Sequence, residues 1–276
     1  MFIGRILADI FCSSYCKNNQ SIENLCYNHP QLFTDHKSRI TQDRIMPNTY
    51  VIIDIETTGL EPRSDAIIEV AAIALQGNDI LDEFTTLVNP HKSIPPEITQ
   101  MTGITDEMVA EAPTMFKVRS RLRAILGDHI LVGHNVGFDL GFLREERLGV
   151  GNHRLDTVTL ASILVPEAGR YSLENLVRVL NLPDPAGGQT HRAMDDAEQT
   201  VELFLALRER AAQLPISQLD ELMRAGRSLG WPETIFFEEI LAERAKTAFA
   251  EPELRRVPRL YQPPKLEGRA PVAKET

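Results

Sequence analysis

Cysteine is scarce in this 276-residue chain, and Cys12, Cys16 and Cys26 all sit near the N-terminus. Three clustered thiols cannot staple a domain of this size, which excludes a disulfide framework. With His29 they form a set whose spacing fits no common zinc finger. Also missing is any apolar run near the ~20 residues that cross a bilayer. Asp9 interrupts the early apolar stretch, so no secretory leader is read, no membrane partner is expected and the location expected is cytoplasmic. The chain lacks a basic surplus as well: its net charge is −10. Duplex binding without sequence preference normally needs a Lys/Arg-rich face, and this composition argues against it.

The charge is uneven. Residues 1–46 carry +1, residues 47–212 carry −11, and residues 213–276 are neutral. An acidic middle that handles nucleic acid must borrow positive charge from metal ions. Residues 1–46 show neither a period of two nor one of 3.6 and read as a disordered extension or the product of an early start, since Met46 precedes the first legible strand. Residues 47–212 read as one domain, residues 213–250 as a small helical extension, and the Pro-, Arg- and Lys-rich residues 251–276 as a linker or disordered tail.

Within the domain, residues 50–55, 66–75 and 80–88 read as three short-linked strands, with Gly77-Asn78 as the tight turn between the last two. Residues 130–133 make a fourth strand, and a strand passing into a helix is expected over residues 155–163. Helices are expected after Pro95-Pro96, at Thr105-Asp106, over 113–126, from Asp139 on, over 172–180 and over 193–212, with a loop at 183–188. Strands joined through helices pair in parallel, so the expected fold is α/β, a mixed five-stranded sheet flanked by helices.

The chemistry concentrates in a few acids. Asp54 and Glu56 lie two apart on a β-branched strand, so both project from one face while Ile53 and Ile55 stay in the packing. Adjacent carboxylates at the end of a buried strand call for a cation between them. Asp139 follows the fourth strand at a helix start, where an exposed carboxylate can lean over the sheet edge toward the first strand. His191 precedes a helix that carries Asp196 one turn in, with Asp195 read as a solvated or capping acid. Asp156-Thr157 reads as a helix cap, and Glu69 as a structural residue.

Asp54-Ile55-Glu56-Thr57-Thr58-Gly59-Leu60, then His134-Asn135 through Phe138-Asp139, then His191 with Ala193 and Asp196, resemble in order and spacing the three motifs of the DnaQ-like exonucleases, DEDDh branch, which includes the proofreading epsilon subunits of bacterial DNA polymerase III. The resemblance covers residues 49–212 and implies an RNase H-like fold and a 3′-to-5′ exonuclease. It implies that Asp54, Glu56, Asp139 and Asp196 bind two divalent ions, Mg²⁺ or Mn²⁺, and that His191 takes a proton from the attacking water. It further assigns Thr57, Thr58, Gly59, Leu60, Asn135 and Phe138 to the substrate, with Leu60 as a wedge between bases. The implied partner is the 3′ end of single-stranded or frayed DNA, with RNA trimming as the alternative and a non-enzymic adaptor as a third reading. A polymerase, sliding clamp or helicase is the candidate protein partner: residues 217–250 resemble the segment joining such domains to a helicase, and residues 218–222 are similar to a clamp-binding peptide, although an amphipathic helix explains the same apolar positions.

Overall fold

The computed structural model describes residues 48–183 and 191–250, with side chains described to residue 245. The N-terminal segment and its cysteines, most of the 183–188 loop and the 251–276 tail lie outside the described residues. Five strands form one sheet in the order β3-β2-β1-β4-β5. They are β1 (Thr49–Thr57), β2 (Ile67–Gln76), β3 (Asp79–Leu87), β4 (Ile130–Gly133) and β5 (Arg154–Asp156). The first three make the expected antiparallel meander, and β4 and β5 join in parallel. Gly77 takes a positive φ of 61° in the two-residue β2–β3 turn, a conformation glycine adopts freely.

Period-two alternation decides which helices pack where. Val51, Ile53, Ile55, Ala72 and Leu131 face α3 (Met115–Leu126) and α4 (Gly137–Glu145). Tyr50, Ile52, Ile73, Val132 and Leu155 face α5 (Thr157–Leu164), α6 (Leu173–Leu180) and α7 (Ala193–Gln213). Two short helices, α1 (Pro96–Thr102) and α2 (Asp106–Ala110), close a third cluster around Ile68 and Ile104. Thr105 caps α2 by accepting from the Met108 N–H, and Asp156 caps α5 by accepting from the Val158 N–H. On α7, Ala197, Val201, Phe204, Leu207 and Ala211 recur at helical spacing and are all buried.

The two C-terminal helices, α8 (Ile216–Leu229) and α9 (Thr234–Ala250), share this core rather than forming one of their own. Leu219, Met223, Phe236, Phe237 and Ile240 join the cluster that contains Tyr50 and Phe204. Aromatic rings tilted at 59° to one another run from Tyr50 to Phe204 (4.8 Å between centroids), then to Phe236 (5.7 Å). Beside them Glu239 accepts from Asn48 Nδ2 (2.6 Å), from the Tyr50 hydroxyl and from Arg208 Nη2 (3.3 Å). Leu219 is fully buried, so this apolar position of residues 218–222 serves the amphipathic helix against the core. Gly230 ends α8 in a left-handed conformation, and Gly226 lies within the helix, packed under Thr234.

Candidate active site

β1 runs past the end of β4, whose pairing with it stops at Ile52. The Ile55 N–H on that side has no strand to bond, and Asp139 Oδ1 accepts from it at 3.2 Å. Asp139 is thus 4% exposed, not the exposed acid expected from sequence, because capping an overhanging strand draws it under the edge. It stands in the first turn of α4, where helix N–H groups favour a negative charge. Asn135, at φ 64°, turns the chain from β4 into that helix, and its N–H donates to Asp156 Oδ1 (3.1 Å).

On the opposite face, Asp54 is half-buried and Glu56 buried, both turned toward α7. Ligand atoms of Glu56, His191 and Asp196 lie within 4.8 Å of one another. His191 holds a left-handed backbone at φ 68° just before α7, a conformation that non-glycine residues adopt at a cost. Its backbone N–H bonds the Asp196 carboxylate, and the Asp196 N–H donates to Arg192 O (3.0 Å). Asp195 is part-buried in the first turn beside Asp196.

Glu69 of β2 pairs in register with Glu56 of β1 and is 3% exposed. Its carboxylate accepts from Arg192 Nε (3.0 Å), from Arg192 Nη2 (2.6 Å) and from the Ala193 N–H (3.0 Å). Arg192 occupies the cap position of α7 without a side-chain cap of its own, so Glu69 supplies one from the sheet. Sequence reading gave Glu69 a structural role but missed Arg192. A lone acid amid the apolar residues of β2 was the available signal, since a buried charge needs a partner.

Burial and crowding raise the proton affinity of these acids. Asp54 is pushed well up by burial and then by Asp139, Asp196, Glu56 and Glu69. Glu56 is pushed up to about 8 by burial, then by Asp196 and Glu69, with Arg192 opposing. Burial also raises Asp139 against the two backbone N–H groups that bond it, and raises Asp196 against His191. Anions so placed are satisfied by protons or by hard cations, and an oxygen-rich set fits a divalent ion such as Mg²⁺ or Mn²⁺.

The 57–60 turn is built from within. The Thr57 hydroxyl donates to Gly59 O (2.6 Å), and Thr58 Oγ1 accepts from the Ala66 N–H (3.0 Å) and donates to Asp65 Oδ1 (3.3 Å). A side chain at Gly59 would overlap the Asp65 carboxylate. Leu60 alone of the four stands well out, 78% exposed. Phe138 packs on Phe142 with ring centroids 5.2 Å apart, Asn135 is exposed, and His134 Nδ1 lies 2.9 Å from the Thr157 hydroxyl.

A mixed sheet with two acids on its first strand, flanked by acids from two helices, defines an RNase H-like exonuclease domain. Residues 51–204 match the family described as Exonuclease, RNase T, and the chain belongs to that family. It is 39% identical over 180 residues to the PolC-type DNA polymerase III of Bacillus subtilis (strain 168) and 37% identical over 179 residues to that of Thermotoga maritima. Each alignment covers 63% of this chain, but only 12% and 13% of the respective relative, so the chain spans about an eighth of their length. Among solved structures it is similar to Exonuclease X in complex with 5′ overhanging duplex DNA, at a TM-score of 0.51 and 28% identity over 60% of this chain and 94% of that one. E. coli Exonuclease I in complex with a dT13 oligonucleotide shares the fold at a TM-score of 0.54 and 18% identity, over 65% of this chain and 44% of that one.

Proposed function

We propose that the chain is a metal-dependent 3′-to-5′ exonuclease that removes terminal nucleotides from single-stranded or frayed DNA. The observation that carries this reading is the clustering of Glu56, His191 and Asp196 within 4.8 Å, beside Asp54 and Asp139 on the same strand end. Two divalent ions, Mg²⁺ or Mn²⁺, held by Asp54, Glu56, Asp139 and Asp196, would supply the positive charge that a phosphodiester needs at so acidic a site. His191, exposed at the mouth of the cluster, accepts the proton of the attacking water. The bond from phosphorus to the 3′ oxygen of the preceding nucleotide breaks, and that oxygen leaves with a proton as the new 3′-hydroxyl. Leu60 reaches between the last bases, the 57–60 turn holds the terminal sugar, and Asn135 and Phe138 meet the strand from the far side. DNA is favoured over RNA because Exonuclease X and Exonuclease I are seen with DNA, and the PolC relatives make a polymerase the proposed partner.

With Mn²⁺ present, a labelled single strand should be degraded. His191→Ala should lower kcat by about 10²–10⁴ with little change in KM, as expected for loss of a general base. Asp54→Ala should remove most of the remaining activity. Equal degradation by the Asp54→Ala protein would contradict the assignment.

A further inference from the structure

At the β5 edge of the sheet a groove of about 540 Å³ opens between the nuclease core and the turn joining α8 to α9. That volume lies in the range of pockets that hold a ligand of nucleotide size. One wall carries Arg144 from the last turn of α4 with His153 and Arg154 at the start of β5, all exposed, and no carboxylate among the described residues pairs with them. The other wall carries Trp231, the sole tryptophan of the chain, and Arg227, whose Nε and Nη2 bond Glu238 at 2.9 and 2.7 Å. Three arginines against one glutamate leave a positive excess here, although residues 47–212 together carry −11. Thr234 also borders the groove, but its hydroxyl is buried against Gly226.

A basic wall facing an indole matches the way single strands are held: cations on phosphates, an aromatic face under a base. An acidic peptide would use the arginines but leave the indole without a task. Arg154 is in register with Leu131, and Leu131 with Val51, three residues before Asp54. Within the sheet the groove therefore lies about 10 Å back along the strands and about 10 Å across two strand spacings, but Arg154 shares the face of Val51 and Leu131 while the acids face α7, so the two places are joined round the sheet edge. A strand entering the acid site would meet this groove by running round the β5 edge.

We propose that this groove is a second binding site for single-stranded DNA, taking a nucleotide internal to the 3′ end, with Arg144 and Arg154 on its phosphates and Trp231 against its base. The choice of DNA rests on the function proposed above, but binding here is independent of which residues cut. The test uses the full chain in EDTA, where cutting does not enter, titrated at low salt with a dT oligomer of about 12 nucleotides, a length within the usual site sizes. Trp231 is the only indole, so its emission reports the groove directly. Emission should be quenched as the oligomer binds. The double variant Arg144→Gln, Arg154→Gln should bind about tenfold more weakly, and its slope of log K against log salt should be shallower by about 1.4, the value for two single-strand phosphate contacts. Both residues are exposed, so the melting temperature should be unchanged. Binding of a labelled oligomer without any change in Trp231 emission, or equal affinity and slope in the double variant, overturns the proposal. A stronger response to polyglutamate than to dT overturns it in favour of a peptide site. Because the readout is binding without metal, failure of the Asp54 and His191 assignments would leave these results unaffected.

Discussion

Glu69 and Glu56 face each other across β1 and β2, and two like charges so placed repel. Arg192 relieves the repulsion, bonding Glu69 through two nitrogens while lowering the proton affinity of Glu56. Because Arg192 follows His191 directly and its carbonyl accepts from Asp196, the same pair fixes His191 and Asp196 against β1. Glu69→Gln should therefore lower kcat about 10–100-fold, the usual cost of losing a group that orients a ligand or base, with KM nearly constant. Arg192→Ala should do the same, and the double variant should be no worse than either single one, since both remove one interaction. Steady-state kinetics of the three proteins check this; additive losses would show that the two residues act separately.

At the scale of elements, the C-terminal helices are tied to the nuclease sheet by a polar junction beside the tilted aromatic rings. Glu239 on α9 holds Asn48, Tyr50 and Arg208 at once, and Arg208 also bonds Glu243 (2.7 Å). Burial and Glu239 together push the Tyr50 hydroxyl far above its ordinary pKa, so it remains a donor. Glu239→Ala leaves Asn48 and Tyr50 without their shared acceptor and Arg208 with Glu243 alone, and should cost about 1–3 kcal/mol, read as a lower melting temperature and denaturation midpoint. Asp82→Ala, whose pair with Arg121 is exposed, should leave both nearly unchanged.

These junctions mark where sequence reading stops. Asp54 and Glu56 were legible because a strand's period fixes their face, and α7, α8 and α9 because apolar residues recur at helical spacing. Asp139 was legible as a candidate but not as a buried one, since its burial depends on β1 outrunning β4, a matter of register between strands far apart in the chain. The Glu69–Arg192 bond spans 123 residues and the Tyr50–Glu239 bond 189, and no local pattern reports such a contact. Residues 218–222 show a related ambiguity: an amphipathic segment looks the same whether its apolar side meets a partner or its own core.

For the whole molecule, the acid cluster makes stability depend on pH and on cations. An acid whose folded-state pKa is raised binds protons more tightly folded than unfolded, so stability is fullest at low pH and lost as pH rises through the folded-state value. For Glu56 that window runs from about 4.5, its ordinary value, to about 8, and Asp54 and Asp139 act in the same direction. Without divalent ions, the melting temperature should fall across this window. Mn²⁺ at about 100 times its Kd should add ~2.7 kcal/mol, or about 5–10 °C, with the larger gain at the alkaline end. Asp54→Ala should flatten the pH dependence and reduce the gain. A melting temperature that ignores Mn²⁺ at alkaline pH would count against a cation site.

The central claim is that this strand end hydrolyses DNA from the 3′ terminus. The most direct test gives the full chain a 5′-labelled single strand with Mn²⁺ and follows the products over time by gel. The account predicts a ladder that shortens one nucleotide at a time with the label kept on the shrinking strand, and no ladder with Asp54→Ala. Early release of the 5′ label as a mononucleotide, or a ladder of the same rate from the Asp54→Ala protein, would contradict it.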